Sequence, residues 1–277
     1  MATILRMPFT ISHAAAVLPL KNSRLPLAAL MIGSMSPDFA YFLPFEMLTR
    51  LSTHSLRGIL FFCLPVGMVV WLLFVRVLER PTIQLLPDAW RDRVPRSDPH
   101  FSLSALGFAG IAVILGAVTH IVWDAFTHAS TPVTHAFPVL DMEVFSVYGH
   151  SIPMFFVLQC LSSVIGLLAL AIWALRLRHS VPRAQTAEES RITLPAHARG
   201  IALVVMILSS GATALVMYAS YSGLPLRHRV FELLIGAMMG WLLAWCVIAV
   251  MINRGSRFID GGSRGRRAAG CRPDLLP

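Results

Sequence analysis

In the stretch GAVTHIVWDAFTH, residues 116–128, His120, Asp124 and His128 recur at steps of four. On an α-helix that spacing returns to nearly one face, so the three polar side chains stand one above another and converge. Imidazole nitrogens and carboxylate oxygens together suit zinc, manganese or iron, whereas calcium takes oxygen alone. Three further side chains of the same kind precede them: His13 in TISHAAAVLPL, Asp38 in GSMSPDF and His54 in STHSLRG. Six such ligands are more than one tetrahedral zinc can use. A two-metal site bridged by Asp38 or Asp124 is therefore expected, and such sites activate water while clamping a phosphoryl or acyl oxygen.

A lone HxxxD pair on a helix is more often a satisfied interfacial histidine than a ligand pair. The hydrophobic surroundings of this set change that balance, because ionisable groups at membrane depth are costly and rare unless partnered or functional. Thr119, Thr127 and Ser55 stand nearby as candidate supporting donors, although small hydroxyl residues in membrane helices also serve packing.

The elements that must position these residues are membrane helices. The chain has 277 residues, 56% of them hydrophobic and 13% charged, with a mean hydropathy of +0.69. Soluble domains are usually about one-quarter charged. The expected fold is all-α, an integral membrane bundle whose spans cover about 58–78, 101–122, 151–175, 200–220 and 230–252. The apolar LPLAALMIGSM from Leu25 is closed by Pro37 and Asp38, and at about 11 residues it is too short to cross. It reads as a buried or re-entrant helical segment. A secretory leader is not expected, since Pro8, His13 and Pro19 interrupt the apolar core that one needs.

Net charge is +9. Arginines cluster between the first and second spans (Arg76, Arg80, Arg91, Arg93, Arg96), between the third and fourth (Arg176, Arg178, Arg183, Arg191, Arg199) and in the tail, whereas residues 120–151 hold no Lys or Arg. The positive-inside rule then predicts a cell-membrane protein with residues 120–151 and the N-terminus external and the C-terminus cytoplasmic. Arg6, Lys21, Arg24, Arg50 and Arg57 oppose this assignment but are outvoted by three loops; an extra N-terminal span would move only the N-terminus. The basic charge thus points to the lipid bilayer as partner and not to nucleic acid. At about 1.5 Å per residue, a second span starting near Ser102 brings His120 to the outer hydrocarbon edge. His54, just before the first span, lies at the same depth.

Residues 1–177 form the expected metal-site module and 178–199 a polar cytoplasmic linker. Residues 200–252 are a two-helix module and 253–277 a disordered basic tail. Cys63, Cys160, Cys246 and Cys271 form no CxxC pair and read as packing or tail residues. His135, Asp141, Glu143 and His150 occupy the external loop and read as solvated; His100, His179, His197 and His228 read as loop or interface residues. The chain has no Walker A loop, no GxGxxG and no GxSxG elbow.

MPFTISHAAAVLPL, IGSMSPDFAYF, THSLRG and GAVTHIVWDAFTH, in this order, resemble a bacterial family of multi-pass membrane proteins described as a domain of unknown function. The resemblance covers roughly residues 7–177. More loosely the pattern is similar to membrane-bound metal-dependent hydrolases, and through them to the zinc-dependent phospholipase C group. That likeness implies His13, Asp38, His54, His120 and Asp124 as metal ligands with His128 as a sixth, one or two divalent ions, and a lipid or lipid-linked substrate. The chain departs from that pattern in having no HxxxE pair within those residues and in placing HxxxD on a hydrophobic helix. A second class of function is transport, with the His and Asp residues as an ion or proton relay; a third is a scaffold in which they tie helices together. A relay needs polar residues continuing across the bilayer, and below His120 the second span offers only Ser102, Ser104 and glycines.

Overall fold

The computed structural model describes residues 10–42, 50–97, 102–147, 149–180 and 194–269. After an N-terminal 3-10 helix, Thr10–Leu20, the main elements are α1 (Leu27–Met35), α2 (Leu56–Leu85), α3 (Leu103–Thr127), α4 (Met154–Leu177), α5 (Ala196–Ser220) and α6 (Leu226–Ala269). Helices α2 to α5 and the Gly255-bounded apolar part of α6 are long and apolar enough to cross a membrane, five in all. The chain is a multi-pass helical membrane protein. A two-stranded hairpin, β1 (Glu143–Val147) with β2 (His150–Pro153), lies in the loop after α3 and is the one departure from an all-α fold among the described residues.

The helix boundaries have local causes. Ser102 caps α3 by accepting the Ala105 amide at 3.1 Å. Helix α3 ends at Thr127 because the chain turns out of it: His128 is extended (φ −131°, ψ 149°) and Ser130 sits in the left-handed region at φ 58°. The Thr131 hydroxyl then donates to the Ala125 carbonyl at 2.6 Å, satisfying a helix-end acceptor. In α2, Pro81 has no amide to offer the carbonyl of Val77, four residues back. Asn253 of α6 donates to that oxygen at 2.8 Å.

Helix α1 is packed into the bundle. With 9 residues, α1 reaches about 14 Å, half of what a span needs. It lies instead against α3, where Val17, Ala29, Leu30, Ala109, Ala112 and Val113 are fully buried. Two glycines allow the approach. A Cβ at Gly116 would overlap the Leu30 carbonyl oxygen and lie 2.6 Å from the Ser34 amide nitrogen, and one at Gly33 would lie 2.7 Å from the Val113 Cα. Such small-residue contacts are how membrane helices bring backbones together.

Elsewhere the structure differs from the sequence expectations in detail. The first span runs Leu56–Leu85 and not 58–78, with π-helical turns at Ile59–Cys63 and Phe74–Leu78. Helix α6 continues to Ala269, through residues expected to be disordered; no proline interrupts it before Pro273. Most of the expected linker, residues 181–193, and Cys271 and His100 lie outside the described residues. Helices α5 and α6 are joined by Ser209, Ser210 and Thr213, whose hydroxyls donate to the carbonyls of Gly240, Ala237 and Gly236 at 3.0, 2.9 and 2.7 Å.

Candidate metal centre

The turn before α2, the 3-10 segment after α1, the N-terminal 3-10 helix and the end of α3 meet at one end of the bundle, and each brings polar side chains there. His120 and Asp124 are one turn apart on α3, 0% and 3% exposed. Asp38 starts the 3-10 segment Ser36–Phe42, which α1 leads directly into. His54 follows the helical turn Arg50–Thr53, and His13 lies on Thr10–Leu20.

Four atoms converge. His54 Nε2 lies 3.2 Å from His120 Nε2, 3.5 Å from Asp38 Oδ1 and 3.4 Å from Asp124 Oδ2. His120 Nε2 lies 3.6 Å from Asp38 Oδ1 and 3.5 Å from Asp124 Oδ2. The five contacts form two triangles that share the His54–His120 edge, with Asp38 closing one and Asp124 the other. Zinc with nitrogen and oxygen ligands at about 2.1 Å separates its ligand atoms by about 3.4 Å, so each contact of 3.2 to 3.6 Å has the spacing of two ligands on one ion. The set fits hydrogen bonding poorly, since contacts of 3.4 Å and more are long for N–H to oxygen and one N–H can point at a single acceptor.

The protonation pattern agrees with a ligand role. His120 Nδ1 is 2.7 Å from the Ser34 carbonyl oxygen. A carbonyl only accepts, so Nδ1 carries the hydrogen, and in the neutral ring Nε2 presents its lone pair inward. The Ser34 carbonyl thereby orients the ring, as supporting acceptors do for metal-ligating histidines. His54 Nδ1 is 3.0 Å from the Thr53 hydroxyl. Burial would raise the pKa of Asp38, but the His120 and His54 rings beside it outweigh that and hold it below the usual carboxylate range. The Thr10 hydroxyl donates to Asp38 Oδ2 at 2.7 Å, leaving Oδ1 turned to the cluster.

Asp124 also faces a second group. Its Oδ1 is 3.3 Å from His128 Nδ1 and 3.6 Å from His13 Nε2, while Oδ2 faces His54 and His120. The carboxylate thus spans two sets of nitrogens, as a bridging ligand would. His13 stacks on His120 with ring centroids 4.0 Å apart. Burial first, then the neighbouring His120, pushes His13 down to about 4, so its imidazole is neutral and able to ligate near pH 7. His13 Nδ1 is buried with no hydrogen-bond partner, and so is Gln159 Oε1.

All six residues expected from the sequence are therefore at this end of the bundle, five of them in two overlapping groups that share His120. His13, His120 and Asp124 form one group that could hold a metal ion, and Asp38, His54 and His120 another. His128 arrives differently from its spacing: it lies beyond the end of α3 in extended backbone, and Gln159 Nε2 of α4 lies 3.2 Å from its Nε2. His135, Asp141, Glu143 and His150 are exposed on the loop and hairpin. Thr10, Ser34, Thr53 and Gln159 were not legible as site residues. Only the Thr10 hydroxyl, three residues before His13 in TISH, carried any local signal.

Replacing the Thr10 hydroxyl frees Asp38 Oδ2 and lets the carboxylate rotate. Thr10→Val is expected to weaken metal binding by about 10 to 100-fold, as the loss of such supporting partners usually does, with little change in unfolding temperature. Competition against a chromophoric chelator measures this, and an unchanged affinity would remove Thr10 from the site.

These features define a class, a multi-pass helical membrane protein with a buried His/Asp cluster at one end of its bundle that could hold a metal ion. The chain belongs to the DUF4184 family, a domain of unknown function, whose sequence profile matches residues 7–252 and so takes in four spans and all but the last three residues of the fifth. No curated protein and no solved structure matches it.

Proposed function

We propose that the cluster is a divalent transition-metal centre, zinc in the first instance, and that the protein is a membrane hydrolase acting on a lipid or lipid-linked ester or phosphoester. The supporting observation is the convergence of His54, His120, Asp38 and Asp124 atoms, with five contacts of 3.2 to 3.6 Å among them. The second face of Asp124, toward His13 and His128, has room in its ligand count for a second ion. A divalent ion held there supplies Lewis acidity and an activated water at neutral pH. His120 and Asp124 would hold it on the rigid α3 frame, Asp38 and His54 would close the set, and His13, neutral and unbonded at Nδ1, adds a further ligand or proton acceptor.

A relay across the membrane finds less support. Beyond His120 the buried positions of α3 are Ala117, Gly116, Val113, Ala112 and Ala109, which offer no polar side chain to carry a proton or ion onward.

The arginine distribution favours the external side for the cluster. Purified protein is expected to hold one or two equivalents of transition metal by elemental analysis, and a membrane-impermeant chelator added to intact cells should remove it. Metal-free protein after purification in metal-replete buffer would end the metal reading. Loss of metal only to a permeant chelator would reverse the sidedness.

A further inference from the structure

Beside the cluster, a groove of about 510 Å³ opens between α3 and α4, within the range of small-molecule sites. Its walls are Val122, Trp123 and Phe126 of α3 and Leu158, Leu161 and Ile165 of α4, and the Ala16 methyl lies at its inner side. Val122, Phe126, Leu161 and Ile165 are each about half exposed (54, 46, 54 and 54%), so the groove is open on the face these helices turn to lipid.

Its lining offers hydrocarbon and almost nothing else. The polar groups along it already have partners. Trp123 Nε1 donates to Ser162 Oγ, Ser162 Oγ to the Gln159 carbonyl, Thr119 Oγ1 to the Gly116 carbonyl and Thr127 Oγ1 to the Trp123 carbonyl. An occupant therefore gains from apolar contact alone.

Two walls of the groove are also walls of the cluster. The Trp123 ring meets His13 edge-on, with centroids 5.6 Å apart, and Thr127 Oγ1 is 3.2 Å from His128 Nδ1. The groove therefore runs beside the His/Asp set, with Trp123 and Thr127 shared between them. Along α3 it covers Thr119 to Thr127, about 12 Å at 1.5 Å per residue. One leaflet of hydrocarbon is about 15 Å deep, half of the ~30 Å core.

We infer that this groove holds an acyl chain of a membrane phospholipid from the leaflet nearest the cluster, with the ester or phosphoester end of that lipid delivered to the His/Asp set. The inference rests on the hydrolase reading above and names its substrate class as a glycerophospholipid that enters sideways from the bilayer.

The test uses the full chain in nanodiscs containing phosphatidylglycerol with a photoreactive diazirine midway along one acyl chain. After illumination, adducts are mapped by mass spectrometry and metal content is measured on the same sample. Adducts at Val122, Phe126, Leu158 and Leu161 are expected to exceed those at Ile207 and Leu208 of α5, which are 60 and 66% exposed, by about tenfold, a modest binding preference. Filling the groove by Leu161→Trp, or independently by Ile165→Trp, should abolish that excess and leave metal content at the wild-type level. Equal labelling of the groove and of α5, in protein with its full metal content, overturns the groove and leaves the metal reading standing. Groove labelling that persists in metal-free wild-type protein supports the chain site and removes the hydrolase reading.

Discussion

His120→Ala is expected to lose essentially all bound metal. His120 Nε2 shares edges of 3.2 to 3.6 Å with His54, Asp38 and Asp124, its ring is fully buried, and its far nitrogen is pinned by the Ser34 carbonyl. Structural zinc sites bind with about 10–16 kcal/mol over four ligands. One ligand then represents roughly 3–4 kcal/mol, or about 100 to 1000-fold in affinity. Asp124→Ala should be at least as severe, because both carboxylate oxygens are engaged, one toward each group of nitrogens. Asp38→Asn should follow closely, since Asp38 is as deeply buried as the α3 ligands. His54→Ala should weaken binding less, because its ring comes from a half-buried turn and not from a packed helix. The exposed His179→Ala is the control and should keep its metal. Elemental analysis of detergent-purified variants, with circular dichroism to confirm helix content, decides the matter. Wild-type metal in both His120→Ala and Asp124→Ala would dispose of the centre.

Gly116→Val is expected to damage the fold and the centre together. The new Cβ meets the Leu30 carbonyl and the Ser34 amide, which are backbone atoms that cannot rotate aside. Overpacking of this kind costs about 1–3 kcal/mol. The relief available is for α1 to move off α3, and that movement takes the Ser34 carbonyl away from its 2.7 Å contact with His120 Nδ1. Metal affinity should then fall about 10 to 100-fold although no ligand has been replaced. A Cβ at Gly107, by contrast, meets nothing within 4 Å. Gly107→Ala should therefore bind metal as the wild type does and gain up to about 1 kcal/mol from helix propensity. Thermal unfolding and chelator competition on the two variants separate the effects. Wild-type metal affinity in Gly116→Val would show that the α1–α3 contact does not position the ring.

The α1–α3 contact marks where sequence reasoning stops. That LPLAALMIGSM is too short to cross follows from its length and the prolines around it. That it lies on α3, with Gly33 and Gly116 as the points of approach, does not, because glycines occur throughout these helices and nothing local marks which of them meets a given neighbour. The same holds for the fourfold spacing of His120, Asp124 and His128. Helical periodicity was enough to align the first two, but it carried His128 along with them, and the structure ends the helix at Thr127 and brings His128 back by a turn of the backbone.

By itself, then, the sequence determined the membrane class, the number of spans and the chemistry of the candidate ligands. Each of these depends on composition and on periods of a few residues, which are local properties of the chain. Only the tertiary structure decided that atoms from three separate segments make contacts of 3.2 to 3.6 Å, that Thr10 and a backbone carbonyl orient them, and that an apolar groove runs beside them. Those distances depend on how closely two backbones can approach, and a carbonyl oxygen, present at every residue, leaves no mark in the sequence of the place where it is used.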